Sequence, residues 1–265
     1  MMGRMVRKAL IAAAMVYAAI VGLLFFAQER LIFPAPSLIG EPVIPPGFQG
    51  GEIETPDGER LFVLHRAPVA GMPTILIFHG NGDTALNQIG RAGALTTAGF
   101  GVVVAEYRGY PGSSGSPSQQ GLLTDGLAAY DFAMAKYEGP IGVQAHSLGT
   151  GVAMQLAARK PVFAMVLEAP FDSVENVAAA RFPWAPVRLL LRHPFRSHDH
   201  IVGLSMPVLI LHGDKDPVVP IAHGRALAAM GGSNVEFKTI AGAGHNLFGH
   251  GSAAQAVAFF QQHRP

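Results

Sequence analysis

The chain has 265 residues, 49% hydrophobic and only 14% charged, with a formal net charge of +1. That length holds one large α/β domain or two small ones, and the lack of a basic stripe beyond the N-terminus argues against a nucleic-acid partner. With no cysteine in the chain, disulfides, thiolate metal sites and a cysteine nucleophile are excluded.

Arg4, Arg7 and Lys8 precede an uncharged run from Ala9 to Ala27, 19 positions long. As a helix it spans about 28 Å, close to the hydrocarbon thickness of a bilayer. A signal peptide shares the basic start. Its apolar region is usually shorter, however, and no small-x-small cleavage site follows in Leu24-Phe25-Phe26-Ala27-Gln28. A buried soluble helix would need a polar face, and there is none. Residues 1–30 therefore read as an uncleaved membrane anchor. The three positive charges before the run, against Glu29 and Arg30 after it, predict a cytoplasmic N-terminus. The rest of the chain is then expected on the non-cytoplasmic face, the periplasm in a bacterium.

Pro34, Pro36, Pro42, Pro45 and Pro46 make residues 31–50, Phe33 to Gly50 above all, a stiff, extended connector. Residues 51–265 read as a single domain. It begins with a hairpin from Gly51 to Arg66 around Thr55-Pro56-Asp57-Gly58. "TILIFHG" is a short apolar run fitting a strand buried on both faces. A helix from about Ala85 to Ala98 and the strand "GVVVAEY" follow. Ser116-Pro117-Ser118-Gln119 predicts a helix start with Ser116 at the N-cap, running to about Tyr137. Then come the strand "IGVQA", a helix from Leu148 to Arg159, and the strands "AMVLE" and "PVLILHG". Ile221 to Met230 reads as a helix, "VEFKTI" as a strand and Ser252 to His263 as a closing helix. This alternation predicts an α/β fold with a mostly parallel, doubly wound sheet. Residues 174–204, containing "RFPWAPVRLLLRHPF", break the rhythm and read as a short cap-like insertion above the sheet.

"QAHSLGTG" places Ser147 between a strand and a helix, the setting of a nucleophile elbow. Gly149 and Gly151 match the G-x-S-x-G pattern, while Ala145 replaces its first glycine. A nucleophilic serine needs a base and the base an orienting carboxylate, which in doubly wound hydrolases follow in the order acid, then histidine. After "PVLILHG" the chain carries Asp214 and Asp216, and after "VEFKTI" it carries Gly242-Ala243-Gly244-His245. Each loop leaves the carboxyl end of a strand, the edge where Ser147 also emerges. His245 is thus the expected base. His146 and His212 read as packing or surface residues. Strand spacing leaves the acid open between Asp214 and Asp216. Oxyanion donors are expected from the backbone N–H of Leu148 and from "HGNGD", through Asn81.

"ERLIFPAP", "FHGNG", "EYRGYPGSSGSPS", "QAHSLGTG", "EAPFDS", "PVLILHGDKDPVVP" and "GAGHN" together resemble, in order, the α/β-hydrolase family over most of residues 28–262. The likeness is to small serine hydrolases on one N-terminal membrane anchor, of esterase, thioesterase or lysophospholipase type. The resemblance implies the α/β-hydrolase fold, with Ser147 as nucleophile, His245 as base and Asp216 as acid, and with Leu148 and Asn81 as oxyanion donors. It also implies an ester or thioester substrate of small-molecule size, with no cofactor or metal. A serine peptidase of the same fold is one alternative, though such enzymes usually carry a large gating domain that this chain lacks. A catalytically silent fold serving as a tethered binding module is the other. Phe182, Trp184, Val187 and Leu189 to Leu191 of the insertion either line an acyl pocket beside the membrane or pack on the sheet.

Overall fold

The computed structural model describes residues 2–37 and 43–265. Pro42, one of the expected connector prolines, lies outside the described residues.

Helix α1 (Met2–Ile32) is longer at both ends than the uncharged run. Its residues 2–20 are exposed, and it is long and apolar enough to cross a membrane. The stretch after α1 is less of a free connector than its prolines predict. Phe33 is buried and packs edge-on against His193 and Phe195. Gln49 and Gly50 already belong to a strand, paired with His65 and Leu64.

The hairpin forms from β1 (Gln49–Glu54) and β2 (Arg60–Arg66), antiparallel as its turn residues predict. Then β3 (Thr74–Phe78), α2 (Ile89–Thr97), β4 (Gly101–Ala105), α3 (Gln119–Tyr137) and β5 (Ile141–His146) follow in sequence. Next are α4 (Leu148–Ala157), β6 (Met165–Glu168), α5 (Val174–Arg181), α6 (Val187–Leu190) and α7 (His198–Ile201). The chain closes with β7 (Val208–Gly213), α8 (Ile221–Met230), β8 (Val235–Ile240) and α9 (Ser252–His263). The eight strands form one sheet in the order β1-β2-β4-β3-β5-β6-β7-β8, parallel from β4 through β8. Helix α3 starts two residues later than expected: Ser118, not Ser116, is the N-cap, its Oγ accepting from the Gly121 N–H at 3.0 Å.

Side-chain alternation along the central strands explains the doubly wound arrangement. Leu76 and Phe78 of β3 join Val103 and Ala105 of β4 in a core shared with α3 and α4. Ile75, Ile77, Val102 and Val104 face the opposite side, against α2 and α9. Both faces being covered, these strands read as unbroken apolar runs.

The 174–204 insertion divides in two. Phe195, Ile201 and Leu204 are buried in the main core, so its last third is core and not cap. The part from α5 through Arg192 docks on the C-terminal third of α1. Gln28 is the clasp: its Nε2 donates to Leu190 O at 3.3 Å and its Oε1 accepts from the Arg192 N–H at 2.8 Å. Arg192 also pairs with Glu29 at 3.2 Å and lies over the Phe25 ring, 5.0 Å from its centroid.

One buried ion pair ties the α2/α9 face of the sheet to the turn at Ser147. Glu168, at the end of β6, is fully buried; its carboxylate accepts from Arg91 Nη2 at 2.9 Å and Gln144 Nε2 at 2.7 Å. Its backbone oxygen accepts the Ser147 N–H at 2.9 Å. Burial alone would raise the Glu168 carboxyl, but the Arg91 charge and hydrogen bond outweigh it and hold the group below its ordinary value. A depressed carboxyl contributes stability above its unfolded value of about 4.3, and that contribution is lost as pH falls through the folded value. Arg91→Ala is therefore expected to cost about 3–5 kcal/mol in urea unfolding, since it strands a buried carboxylate. Glu168→Gln should flatten the loss of stability below about pH 4.3.

Candidate active site

The turn between β5 and α4 holds Ser147 at φ 50°, ψ −119°. Such backbone is strained for a residue with a Cβ and costs on the order of 1–3 kcal/mol. It persists because its own N–H and C=O are both pinned. Besides the bond to Glu168, Ser147 O accepts from the Thr150 N–H at 2.9 Å and from Thr150 Oγ1 at 2.6 Å. Gly149 lets α4 approach the end of β3: a Cβ there would lie 2.4 Å from Phe78 O and 2.7 Å from His79 O. Ala145, where the usual pattern has glycine, is buried in the main core between Phe78 and Leu167 of the neighbouring strands. Its methyl is packing, and the turn forms around it.

Ser147 Oγ stands 2.8 Å from His245 Nε2, and His245 Nδ1 stands 2.7 Å from Asp216 Oδ2. The other carboxylate oxygen of Asp216 accepts from the N–H groups of Val218 and Val219, at 2.8 and 2.9 Å. One oxygen is thus fixed by its own loop while the second faces the imidazole. Burial would raise the Asp216 carboxyl, but hydrogen bonds from His212, His245 and the Val219 N–H hold it well below the usual carboxylate range. Asp214 is exposed, and its Oδ1 accepts from the Gly242 N–H at 2.7 Å. Of the two candidate acids, Asp216 reaches His245, and Asp214 braces the turn that leads to it. Close approach of the two loops depends on Gly213, where a Cβ would lie 2.3 Å from both Ala243 O and Gly244 O.

Leu148 is the first residue of α4, so its N–H has no partner within the helix. The loop after β3 runs beside the serine: a Cβ on Gly80 would lie 3.3 Å from Ser147 Cβ. Asn81 follows at the surface, its Nδ2 3.5 Å from Ile32 O at the end of α1. The structure therefore brings Ser147, His245 and Asp216 into one hydrogen-bonded chain, with Leu148 and the Asn81 loop next to it. Among the described residues no group of three or more His, Asp or Glu side chains is arranged to hold a metal ion.

Three polar residues around this chain escaped the sequence reading. His146 and His212, expected to be packing or surface residues, both brace it. The His146 Nε2–H donates to His245 O at 3.0 Å, and the two rings lie 4.9 Å apart. Burial and the Arg91 charge pull His146 down to about 4, so it stays neutral beside His245. The fully buried His212 donates to Val219 O at 2.8 Å, and the same nitrogen lies 3.4 Å from Asp216 Oδ2. Glu106 accepts from His79 Nε2 at 2.6 Å and from the Ala85 N–H at 2.8 Å, anchoring the loop that carries Asn81. Its signal in the sequence is a lone carboxylate closing the apolar strand "GVVVAEY".

Comparison with known proteins agrees with this fold. A family model described as alpha/beta hydrolase fold matches residues 73–195. An uncharacterized protein of Mycobacterium tuberculosis is 33% identical over 244 residues, covering 88% of this chain and 85% of its own. The lysophosphatidylserine lipase ABHD12 of Rattus norvegicus is 32% identical over 180 residues, 58% of this chain, although this chain spans only 44% of that longer protein. Among solved structures, the esterase Pf2001 of Pyrococcus furiosus superposes with a TM-score of 0.72 at 17% identity, over 88% of this chain and 99% of its own. With a shared fold, a near-full-length relative and a serine elbow set between β5 and α4, the chain belongs to the α/β-hydrolase family.

Proposed function

We propose that this protein is a membrane-anchored serine hydrolase of esterase or lipase type, cleaving carboxylic esters or thioesters through an acyl-enzyme on Ser147. The observation that carries this reading is the unbroken chain Ser147 Oγ–His245 Nε2 at 2.8 Å and His245 Nδ1–Asp216 Oδ2 at 2.7 Å, set on a strained turn. The relatives point the same way: one is named a lipase and one fold neighbour an esterase.

In the proposed reaction Ser147 Oγ attacks the carbonyl carbon while its proton passes to His245 Nε2. Asp216 keeps the Nδ1–H tautomer and stabilises the imidazolium. The carbonyl oxygen gains the electron pair and is held by the N–H groups of Leu148 and Asn81. Collapse of that intermediate expels the alcohol or thiol, which takes the proton from His245. Water then attacks the acyl-serine, giving its proton to His245, and the carboxylic acid leaves as the serine oxygen regains a proton.

Helix α1 serves in this reading as an uncleaved anchor. Its clasp through Gln28, Glu29 and Phe25 onto the insertion makes it part of the folded protein. The positive charges before it favour a cytoplasmic N-terminus and a catalytic domain on the far side.

A fluorophosphonate probe is expected to label the full-length protein on Ser147, and a series of p-nitrophenyl esters to be hydrolysed. Ser147→Ala should abolish labelling and lower kcat by about four to six orders of magnitude. No labelling of the folded wild type would instead favour a silent binding module. Asp216→Asn should lower kcat by about 10³–10⁴-fold, whereas Asp214→Asn should leave it within about tenfold, because Asp214 only braces the turn. The reverse ranking would move the acid to Asp214. Protease added outside intact cells or spheroplasts should digest the catalytic domain; protection until lysis would reverse the orientation.

A further inference from the structure

The face of α1 that meets the insertion encloses an apolar groove of about 120 Å³. Leu24, Phe25 and Ile32 form one wall, and Ala178, Phe182 and Leu190 the other. The α1 residues recur at one helical face, so the wall is continuous. Gln28 is the polar side chain on the lining, and its amide is engaged by Phe25 O, Leu190 O and the Arg192 N–H. The groove therefore offers a ligand apolar surface.

Its position relates it to Ser147. Ile32, at one end, meets Asn81 of the loop after β3, and Val174, also on the lining, begins α5 just after β6. Ser147 leaves β5, the strand between β3 and β6. Two of its lining residues, Ile32 and Val174, thus adjoin the loops that flank the serine. A second contact joins α1 to the insertion nearer the N-terminus: Tyr17 Oη donates to Trp184 O at 3.1 Å, with the rings edge-on at 6.3 Å. Tyr17 is ten residues before Ala27, the last of the uncharged run, which is about 15 Å along a helix. When that run spans a bilayer, the tip of the insertion sits within the hydrocarbon layer. Its Trp184 and Leu189, 49% and 85% exposed, then face acyl chains and not water.

We propose that the groove between α1 and the insertion binds the acyl chain of a single-chain or double-chain membrane amphiphile, which enters laterally from the bilayer and presents its ester carbonyl to Ser147. The anchor helix is then one wall of the substrate site as well as a tether. This rests on the serine-hydrolase reading above, and on α1 lying in the membrane.

The test uses full-length protein in phosphatidylcholine vesicles. Ala178→Trp, which fills the groove, should lower kcat/KM for p-nitrophenyl laurate by about tenfold or more while p-nitrophenyl acetate changes less than about twofold. Ala180→Trp, exposed on the same helix, should change neither. Acetate turnover and fluorophosphonate labelling report that each variant is folded. An unchanged laurate-to-acetate ratio in Ala178→Trp overturns the proposal. Binding is checked separately from chemistry with a long-chain diazirine ester photocrosslinked to Ser147→Ala. Adducts are expected on the α1 segment from Val21 to Ile32 and on α5–α6; adducts confined to other surfaces overturn the groove assignment. If the wild type hydrolyses neither ester yet crosslinks in the groove, the hydrolase reading fails and the binding site stands.

Discussion

The whole site depends on keeping Ser147 in backbone that a residue with a Cβ avoids. Its φ of 50° projects the side chain off the carboxyl edge of the sheet, and every nearby element helps hold it there. Glu168 O takes its N–H, Thr150 caps its carbonyl, and the side-chain-free Gly149 lets α4 close against the end of β3. The strain is tolerable because both flanking elements are deep in a packed core that cannot relax around a single residue.

Around that turn lies a second set of buried polar groups, each serving a loop. Arg91 and Glu168 brace the turn from below, His79 and Glu106 shape the loop after β3, and His212 supports the loop of Asp216. Such groups are costly to bury and tolerable only when paired. Their partners here come from distant segments, such as Arg91 of α2 with Glu168 of β6. They therefore link the loops of the site to both faces of the sheet, and the geometry of Ser147, His245 and Asp216 is a property of the whole domain.

Helix α1 extends this logic outward. An isolated apolar helix only tethers, but α1 gives Gln28 to the insertion and leads directly into Phe33, which is buried in the core. Residues 2–16, by contrast, are exposed. The helix thus changes partner along its length, from surroundings that suit an apolar surface to the insertion beside the site.

Local chemistry made much of this legible in the sequence. Apolar runs separated by glycine-rich turns set out the parallel sheet, because strands covered on both faces need no alternation. Ser147 and His245 were marked by their positions at strand ends, and the uncharged run from Ala9 to Ala27 marked a membrane-length helix. What stayed open depended on contacts between residues far apart in the chain. Asp214 and Asp216 are equivalent in spacing; the family resemblance implies Asp216, but the contact itself comes from the fold of the loop, where Val218 and Val219 take one oxygen and the other meets His245. His146 and His212 looked like filler because nothing local shows that a buried imidazole faces His245 or Asp216. The insertion read as a cap, yet Phe195 and Ile201 joined the core and its first part met α1. Side-chain pattern determines which residues seek burial and where the chain turns; which buried groups face each other is decided only when the sheet closes and brings its loops to one edge.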